Sequence, residues 1–563
     1  MASRWFAASV LTVLSLTLAP AWAEPGSTER DSGLAELLLP MAGQRPGSVV
    51  GVVQGAALVA VQSVGLADLN FGVPFTPDTP TNIGSTAKQF TGYALAHLHV
   101  QGRISLDDDI RDYLPELPAF DEVVTLRHLA THTSGYREFL NTLGLAGRRI
   151  DKSDWIDPDE AIALIQRQPA LQNEPGAEWN YNNTGYVLLA RVIEQVTETP
   201  FADWMAAEVF APLKMHDTQV RPAPDVIMAK AARGYSKDGE AWREARDLGG
   251  AQGAGGVYTT VGDMARWMQE LSSFDHAGPA VAELLTTAFE LSNGESTRYG
   301  LGLMIDDWRG QTRWQHGGGD LGHASAFYFF PDIQAGLMVF ANHHEIPPDL
   351  MDQLGDLFLS EHLEVRAETG ASVAALVEDA PFEDALFDRY VGRYEMEAMP
   401  GFILRFFRDG ERYMTQATGQ PAFEITPVSA QTFTLDIVNA RIVFEQAEDG
   451  GVPVLTLFQN GEHRAARLPD DDPVPIDLGQ YAGRYFSDEL ETFYEIQVND
   501  GQLQLSHRRF GPLTLHHERA DAFKGGFPVA TVDFVRDDSG QISGLRAGNM
   551  RARDVQFALI ETR

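Results

Sequence analysis

The chain has 563 residues, 44% of them hydrophobic and 22% charged, which is globular composition on a scale of two to four domains. Its net charge of −36 argues against nucleic acid or an anionic membrane surface as a partner. There is no cysteine, which excludes disulfides, thiolate metal sites, a cysteine nucleophile and a lipid-modified cysteine anchor.

At the N-terminus, Arg4 precedes an apolar stretch from Trp5 to Leu18, and Ala21-Trp22-Ala23 offers a small-x-small cleavage site. Residues 1–23 read as a signal peptide, so the mature protein is expected in the periplasm or outside the cell, with no membrane span after cleavage. The apolar core is shorter than the about 20 residues a span needs.

Val49–Val53 and Ala57–Val61, with Gln54-Gly55 between, predict a strand, a tight turn and a strand. Ser85-Thr86-Ala87-Lys88 follows, the one Ser-x-x-Lys of the chain, ahead of an apolar helical pattern through Leu98. Three residues apart on a helix, the two side chains share a face. A lysine whose amine is neutralised by burial can take the serine proton and make a nucleophile. An N-capping serine and a lysine paired with a carboxylate are the plain alternatives. The chain has six lysines against 37 arginines, so a lysine on an apolar helix face is a notable placement.

Residues 101–300 carry mostly helical patterns and Gly/Pro loops. Within them lies Tyr181-Asn182-Asn183, the one Tyr-x-Asn of the chain. Tyr181 is a candidate to share proton transfer, as phenol or phenolate. Asn183 is a candidate donor to Lys88 or to a substrate carbonyl. Further strands are expected at 299–305, 312–316, 325–330 and 337–341, returning to the first sheet. His316-Gly317-Gly318-Gly319 lies among them; His316 can hydrogen-bond Tyr181 or a substrate, and the glycines permit close backbone approach. Asp320 is either a turn residue or a receiver for a substrate ammonium. No His-Glu-x-x-His occurs, and the histidine pairs 97/99, 343/344 and 516/517 lack zinc-hydrolase spacing, so neither metal nor cofactor is expected.

Ser-x-x-Lys, Tyr-x-Asn and His-Gly-Gly in this order resemble the motifs of the serine β-lactamase-like hydrolases, in the branch of class C β-lactamases, esterases and D-aminopeptidases. Gly65–Asp68, Leu126–Gly135, Gly255–Thr260 and Tyr299–Gly302 are similar to that family too, over roughly residues 40–345. The resemblance implies an α/β (α+β) catalytic domain and an acyl-enzyme on Ser85. It also implies an oxyanion hole from the N–H groups of Ser85 and Gly319.

After residue 370 the texture changes. Tyr390-Val391-Gly392-Arg393-Tyr394 recurs as Tyr481-Ala482-Gly483-Arg484-Tyr485, each ahead of short alternating segments with Asp-Gly, Asn-Gly or Gly-Gly turns. Two antiparallel, lipocalin-like β-barrels are expected. The boundaries are signal peptide 1–23, catalytic domain 24–371, first barrel 380–470 and second barrel 474–563, with Glu378–Pro381 and Asp470–Pro473 as linkers. This three-domain plan resembles D-stereospecific aminopeptidase. There a long loop of the final barrel enters the cleft and helps bind the substrate amine; the matching segment here, Lys524–Pro528, is short. Lysine is absent from the third motif, so a fixed charge for a substrate carboxylate is not expected there. Small uncharged esters lead, with D-amino-acid amides, short peptides and β-lactams as alternatives. A degenerate scaffold that binds an envelope partner is the non-enzymatic alternative. Assembly into a homodimer stays open.

Overall fold

The computed structural model describes residues 27–364 and 382–562, apart from 56, 153, 247–248, 398–401, 419–421, 436–439, 448–450, 460–461 and 469–476. The signal-peptide segment, both linkers and the Asn460-Gly461 turn lie outside the described residues, and so do the domain boundaries placed at them.

The catalytic domain is built on one antiparallel sheet of six strands. Its strands are β1 (Ser48–Gln54), β2 (Ala57–Val64), β3 (Met304–Trp308), β4 (Gln311–Asp320), β5 (His323–Phe330) and β6 (Ala335–Ala341), in the order β3-β4-β5-β6-β1-β2. The interior strand β1 is a largely apolar run because both its faces are covered. Val50 and Val52 pack with Leu34 and Leu38 of α1 (Ser27–Leu38) and with Leu354 and Phe358 of a C-terminal helix. Val49 and Val53 face the helical lobe. That lobe holds α2 (Lys88–Val100), α3 (Phe139–Leu145) and α4 (Asn183–Thr197).

One strand is displaced from its expected place. Residues 299–303 form a loop and the strand starts at Met304. The loop is pressed into the wall of α2: a Cβ on Gly92 would lie 1.8 Å from the Leu301 carbonyl oxygen, and one on Gly302 2.5 Å from that of Lys88. Packing on the Ser85 helix overrides the local strand pattern.

The C-terminal region is strand-rich and antiparallel. Its first unit is a nine-stranded sheet whose edge strands, Ala422–Glu424 and Thr426–Pro427, are joined through Ile425, so the sheet nearly closes. The second is a closed eight-stranded barrel. The repeated pentapeptide does the same work in both. A short helix ends at the first tyrosine, and the second tyrosine donates to its carbonyl: Tyr394 to Tyr390 at 3.2 Å, Tyr485 to Tyr481 at 2.8 Å. The Asp500-Gly501 turn has positive φ at both residues (51° and 74°), the hairpin geometry its sequence calls for. The two units differ in attachment. The first has its own hydrophobic core. The interior of the terminal barrel is continuous with the core of the catalytic domain, and Tyr494 donates to the Leu145 carbonyl at 2.7 Å.

Candidate active site

The turn that carries Ser85 is shaped by Asn82, whose side-chain oxygen accepts from the Gly84 N–H at 2.9 Å. Gly84 then takes φ 50°, and a Cβ there would lie 2.7 Å from the Gly319 nitrogen. Glycine is therefore required twice over, by conformation and by space. Ser85 follows on a 3-10 turn, Gly84–Ala87, that runs into α2. It does not cap that helix: the cap position is Ala87, without a side-chain bond. The turn is fastened to the sheet by the Ser325 hydroxyl, which donates to the Ile83 carbonyl at 2.7 Å, and by Thr86, which donates to the His316 carbonyl at 3.2 Å.

Lys88 is fully buried, and its amine reaches three oxygens: Asn183 Oδ1 at 2.8 Å, the Ala254 carbonyl at 2.7 Å and Ser85 Oγ at 3.1 Å. It has no ion-pair partner among the described residues. Burial holds its pKa well below the ordinary lysine value; Glu138 opposes this, and Arg551 adds to it. A neutral amine has two N–H groups and a lone pair. Asn183 and Ala254 take the two N–H groups, which leaves the lone pair for the Ser85 proton.

The Tyr181-Asn182-Asn183 motif is a helix start. Asn182 caps α4, its side chain accepting from the Thr184 N–H at 2.8 Å, with Tyr181 just before the helix and Asn183 in its first turn. Asn183 donates to Glu138 Oε1 at 2.9 Å while accepting from Lys88, so its amide orientation is fixed from both ends. The buried Tyr181 hydroxyl is directed toward Ser85 without closing a hydrogen bond of good geometry. Burial raises its pKa above the ordinary phenol value, though Ser85 and Arg551 both pull it down, so the neutral phenol is the resting form. The Lys88 amine stands 4.9 Å from the centre of the Tyr181 ring.

His316 does not bond Tyr181; the ring centres are 6.0 Å apart. Its Nδ1 donates to the Gly317 carbonyl at 2.6 Å, so Nε2 accepts from the Tyr299 hydroxyl at 3.0 Å. Burial, reinforced by Lys88, lowers its pKa to about 3. Gly318 backs onto the Ser85 turn: a Cβ there would lie 1.9 Å from the Ile83 carbonyl oxygen. Gly317 and Gly319 face open space or ordinary contacts. The Asp320 carboxylate accepts from Asn82 Nδ2 at 2.8 Å and from the Leu321 N–H at 2.7 Å, the bonding of a turn residue.

Three contributors escape sequence reasoning. Glu138 caps α3 and holds Asn183. His132, inside the Leu126–Gly135 stretch, has φ 63° and packs its ring on Tyr181 at 4.3 Å between centres. Its Nδ1 accepts from the Asn182 N–H at 3.1 Å, and burial keeps it neutral. Nothing in local sequence marks either residue. The third is Arg551, from the turn between the last two strands of the terminal barrel, whose guanidinium lies 4.8 Å from the Tyr181 ring centre.

The family model described as Beta-lactamase matches residues 31–357. Penicillin-binding protein 4* of Bacillus subtilis is 26% identical over 436 residues, covering 74% of this chain and 93% of the relative. The D-aminopeptidase of Brucella anthropi is 24% identical over 526 residues, covering 92% and 96%. Among solved structures, the octameric penicillin-binding protein homologue from Pyrococcus abyssi superposes with TM-score 0.54 at 20% identity, covering 86% of this chain and 99% of that one. The D-amino acid amidase from Ochrobactrum anthropi SV3 does so with TM-score 0.51 at 22% identity, covering 60% and 99%.

Proposed function

We propose that this chain, which belongs to the beta-lactamase family, is an exported serine hydrolase that opens small esters or amides through an acyl-enzyme. One observation carries the reading: a fully buried lysine with no ion-pair partner among the described residues, 3.1 Å from a serine hydroxyl. Ser85 Oγ attacks the carbonyl carbon as its proton passes to the Lys88 amine. The N–H groups of Ser85 and Gly319 stabilise the oxyanion, since the Gly84 contact brings their two backbone segments together. As the intermediate collapses, Tyr181 gives its proton to the leaving group and recovers one from the Lys88 ammonium. Water then attacks the acyl-enzyme, its proton leaves through the same pair, and Ser85 is regenerated.

His316, neutral and held by Tyr299 and Gly317, supports the strand and moves no proton. Ester hydrolysis leads because Asp320 is occupied by Asn82 and is not free to take a substrate ammonium. The D-aminopeptidase reading keeps one specific support, the near full-length match to relatives of that name. Purified protein assayed with p-nitrophenyl esters, D- and L-amino-acid p-nitroanilides and a chromogenic cephalosporin separates these readings. A fluorophosphonate should label wild type and not Ser85→Ala. Equal turnover by Ser85→Ala overturns the assignment, and absence of turnover on every substrate by wild type favours the binding-scaffold alternative. Export is tested by N-terminal sequencing of the protein recovered outside the cytoplasm, with Glu24 as the expected first residue.

A further inference from the structure

The hairpin that reaches the active site joins β7 (Ile542–Asn549) and β8 (Ala552–Thr562) through Met550 and Arg551. It is pinned by its backbone. The Arg551 carbonyl accepts from Gln172 Nε2 at 3.2 Å, Asn180 Nδ2 at 3.4 Å and the Glu138 N–H at 3.5 Å. Two residues on, Arg553 pairs with both oxygens of Glu178 at 2.9 and 3.0 Å. Arg137 donates to the Arg553 carbonyl at 2.7 Å and to the Asp554 carbonyl at 3.1 Å while pairing with the buried Glu489. Met550, at the tip, holds φ 52°, a left-handed conformation that a non-glycine residue adopts only where its surroundings enforce it. A turn so fixed holds its side chains in defined places.

Arg137 and Arg553 each have a carboxylate. Arg551 has none among the described residues; its guanidinium rests half-buried on the Tyr181 ring. The two carboxylates near the nucleophile are taken, Glu138 by Asn183 and the Asn141 N–H, Asp320 by Asn82 and the Leu321 N–H. An uncompensated guanidinium on the ring of the proton-donating tyrosine has one obvious complement. We propose that Arg551 is the specificity residue of this site and binds a carboxylate on the ester or amide substrate, a reading that rests on the acyl-enzyme function above. The planar fork matches a carboxylate with two parallel hydrogen bonds. A substrate ammonium in the same place meets a like charge. The cation absent from the third motif is thus supplied by another domain.

The full chain should be assayed with p-nitrophenyl hemiglutarate, which carries its acid on the acyl side, and with 3-carboxy-4-nitrophenyl butyrate, which carries it on the leaving group. Neutral p-nitrophenyl butyrate and p-nitrophenyl 5-aminopentanoate are the references. For one of the two acids, the ratio of kcat/KM to that of the neutral ester should fall roughly 10- to 100-fold in Arg551→Ala, the range of a lost charged hydrogen bond. Arg551→Lys should restore part of it, and the amine ester should gain in Arg551→Ala. Melting temperature and fluorophosphonate labelling of Ser85 verify that each variant is folded. Unchanged ratios for both acids in a folded Arg551→Ala overturn the proposal. Calorimetric titration of Ser85→Ala with glutarate, with and without Arg551→Ala, reads the site apart from turnover. Arg551-dependent glutarate binding by an enzyme that hydrolyses none of the esters supports the anion site and overturns the hydrolase reading instead.

Discussion

Gly318→Ala tests whether close approach of β4 to the nucleophile turn positions Ser85. None of the three glycines after His316 has a positive φ, so the demand is for space and not for conformation. A Cβ on Gly318 would lie 1.9 Å from the Ile83 carbonyl oxygen and 2.4 Å from Ser325 Oγ. The hydroxyl can rotate away; the carbonyl belongs to the backbone two residues before Ser85. Restoring an ordinary contact of 3.4 Å requires β4 and the turn to part by roughly 1.5 Å, since close-packed interiors have no slack to absorb it. A displacement of about 1 Å is enough to cost roughly 100-fold in rate when groups must meet in one geometry. Gly318→Ala should therefore lower kcat/KM for a short-chain p-nitrophenyl ester by about 100-fold or more and slow fluorophosphonate labelling of Ser85 in parallel. At Gly317 the nearest atom to a Cβ is the Ser325 carbonyl oxygen at 4.0 Å, an ordinary contact, so Gly317→Ala should cost a few-fold at most. A folded Gly318→Ala enzyme within about threefold of wild type, or a Gly317→Ala enzyme equally impaired, would refute the reasoning.

Lys88→Arg, which stays protonated, should lose about 1,000-fold or more of kcat/KM; a near-normal rate would mean that another group takes the proton. In wild type, kcat/KM should rise with pH through the lowered pKa of Lys88, because the neutral amine is the proposed base. His316, lowered to about 3, contributes nothing to that limb at neutral pH, so an acid limb that follows substitution of His316 would contradict the assignment. Stability should respond to acid as well. His316, His343 and His507 are lowered by burial to about 3, 4 and 4 from 6.5, so the unfolded chain binds the extra protons. Their contribution is complete above pH 6.5 and is lost as pH falls toward 4, and the melting temperature should drop between pH 7.5 and 5. Glu489→Ala strands the buried Arg137 and should cost about 3–5 kcal/mol, with the terminal barrel becoming accessible to limited proteolysis; a melting curve like that of wild type would show that the pair does not hold the barrel.

What was legible in the sequence follows the range of the forces involved. Ser85 and Lys88 meet because helical spacing brings them together, and Tyr181-Asn182-Asn183 could be read because its middle residue caps a helix. The paired Tyr-x-Gly-Arg-Tyr segments announced two like barrels through local chemistry, a short helix followed by a tyrosine that returns to it. Glu138 and His132 gave no such signal, since each acts across a tertiary contact from an ordinary-looking loop. The bond expected of His316 goes to Tyr299, which sits on the loop that packs against α2 at Gly92 and Gly302. The terminal barrel shows the limit most clearly. Gly525, Gly526 and Pro528 mark a turn, but turn chemistry does not say which turn meets a partner. A Cβ on Gly144 of α3 would find Pro528 at 3.7 Å, so that segment packs beside the helix. Met550-Arg551, with neither glycine nor asparagine at its two central positions, is the turn whose side chain reaches Tyr181.

The reach of Arg551 depends on how the barrel is attached. The two C-terminal units share a starting motif and diverge in what they touch. The first closes on its own core, and its described contacts with the rest are sparse, such as Arg393 donating to the Glu518 carbonyl at 3.5 Å. The second lends its interior to the catalytic core, buries an ion pair at the seam and delivers a turn to the site. A surface loop on a loosely held domain would average its position over the cleft and recognise little. A turn fixed by backbone bonds to Glu138, Gln172 and Asn180 places its side chain against the Tyr181 ring, whose centre is 4.9 Å from the Lys88 amine. Anything that loosens the barrel therefore acts on the nucleophile's surroundings too: Glu138 both receives the Asn183 amide and donates its N–H to the Arg551 carbonyl. The proposed substrate-selecting and proton-transferring groups meet at that one residue.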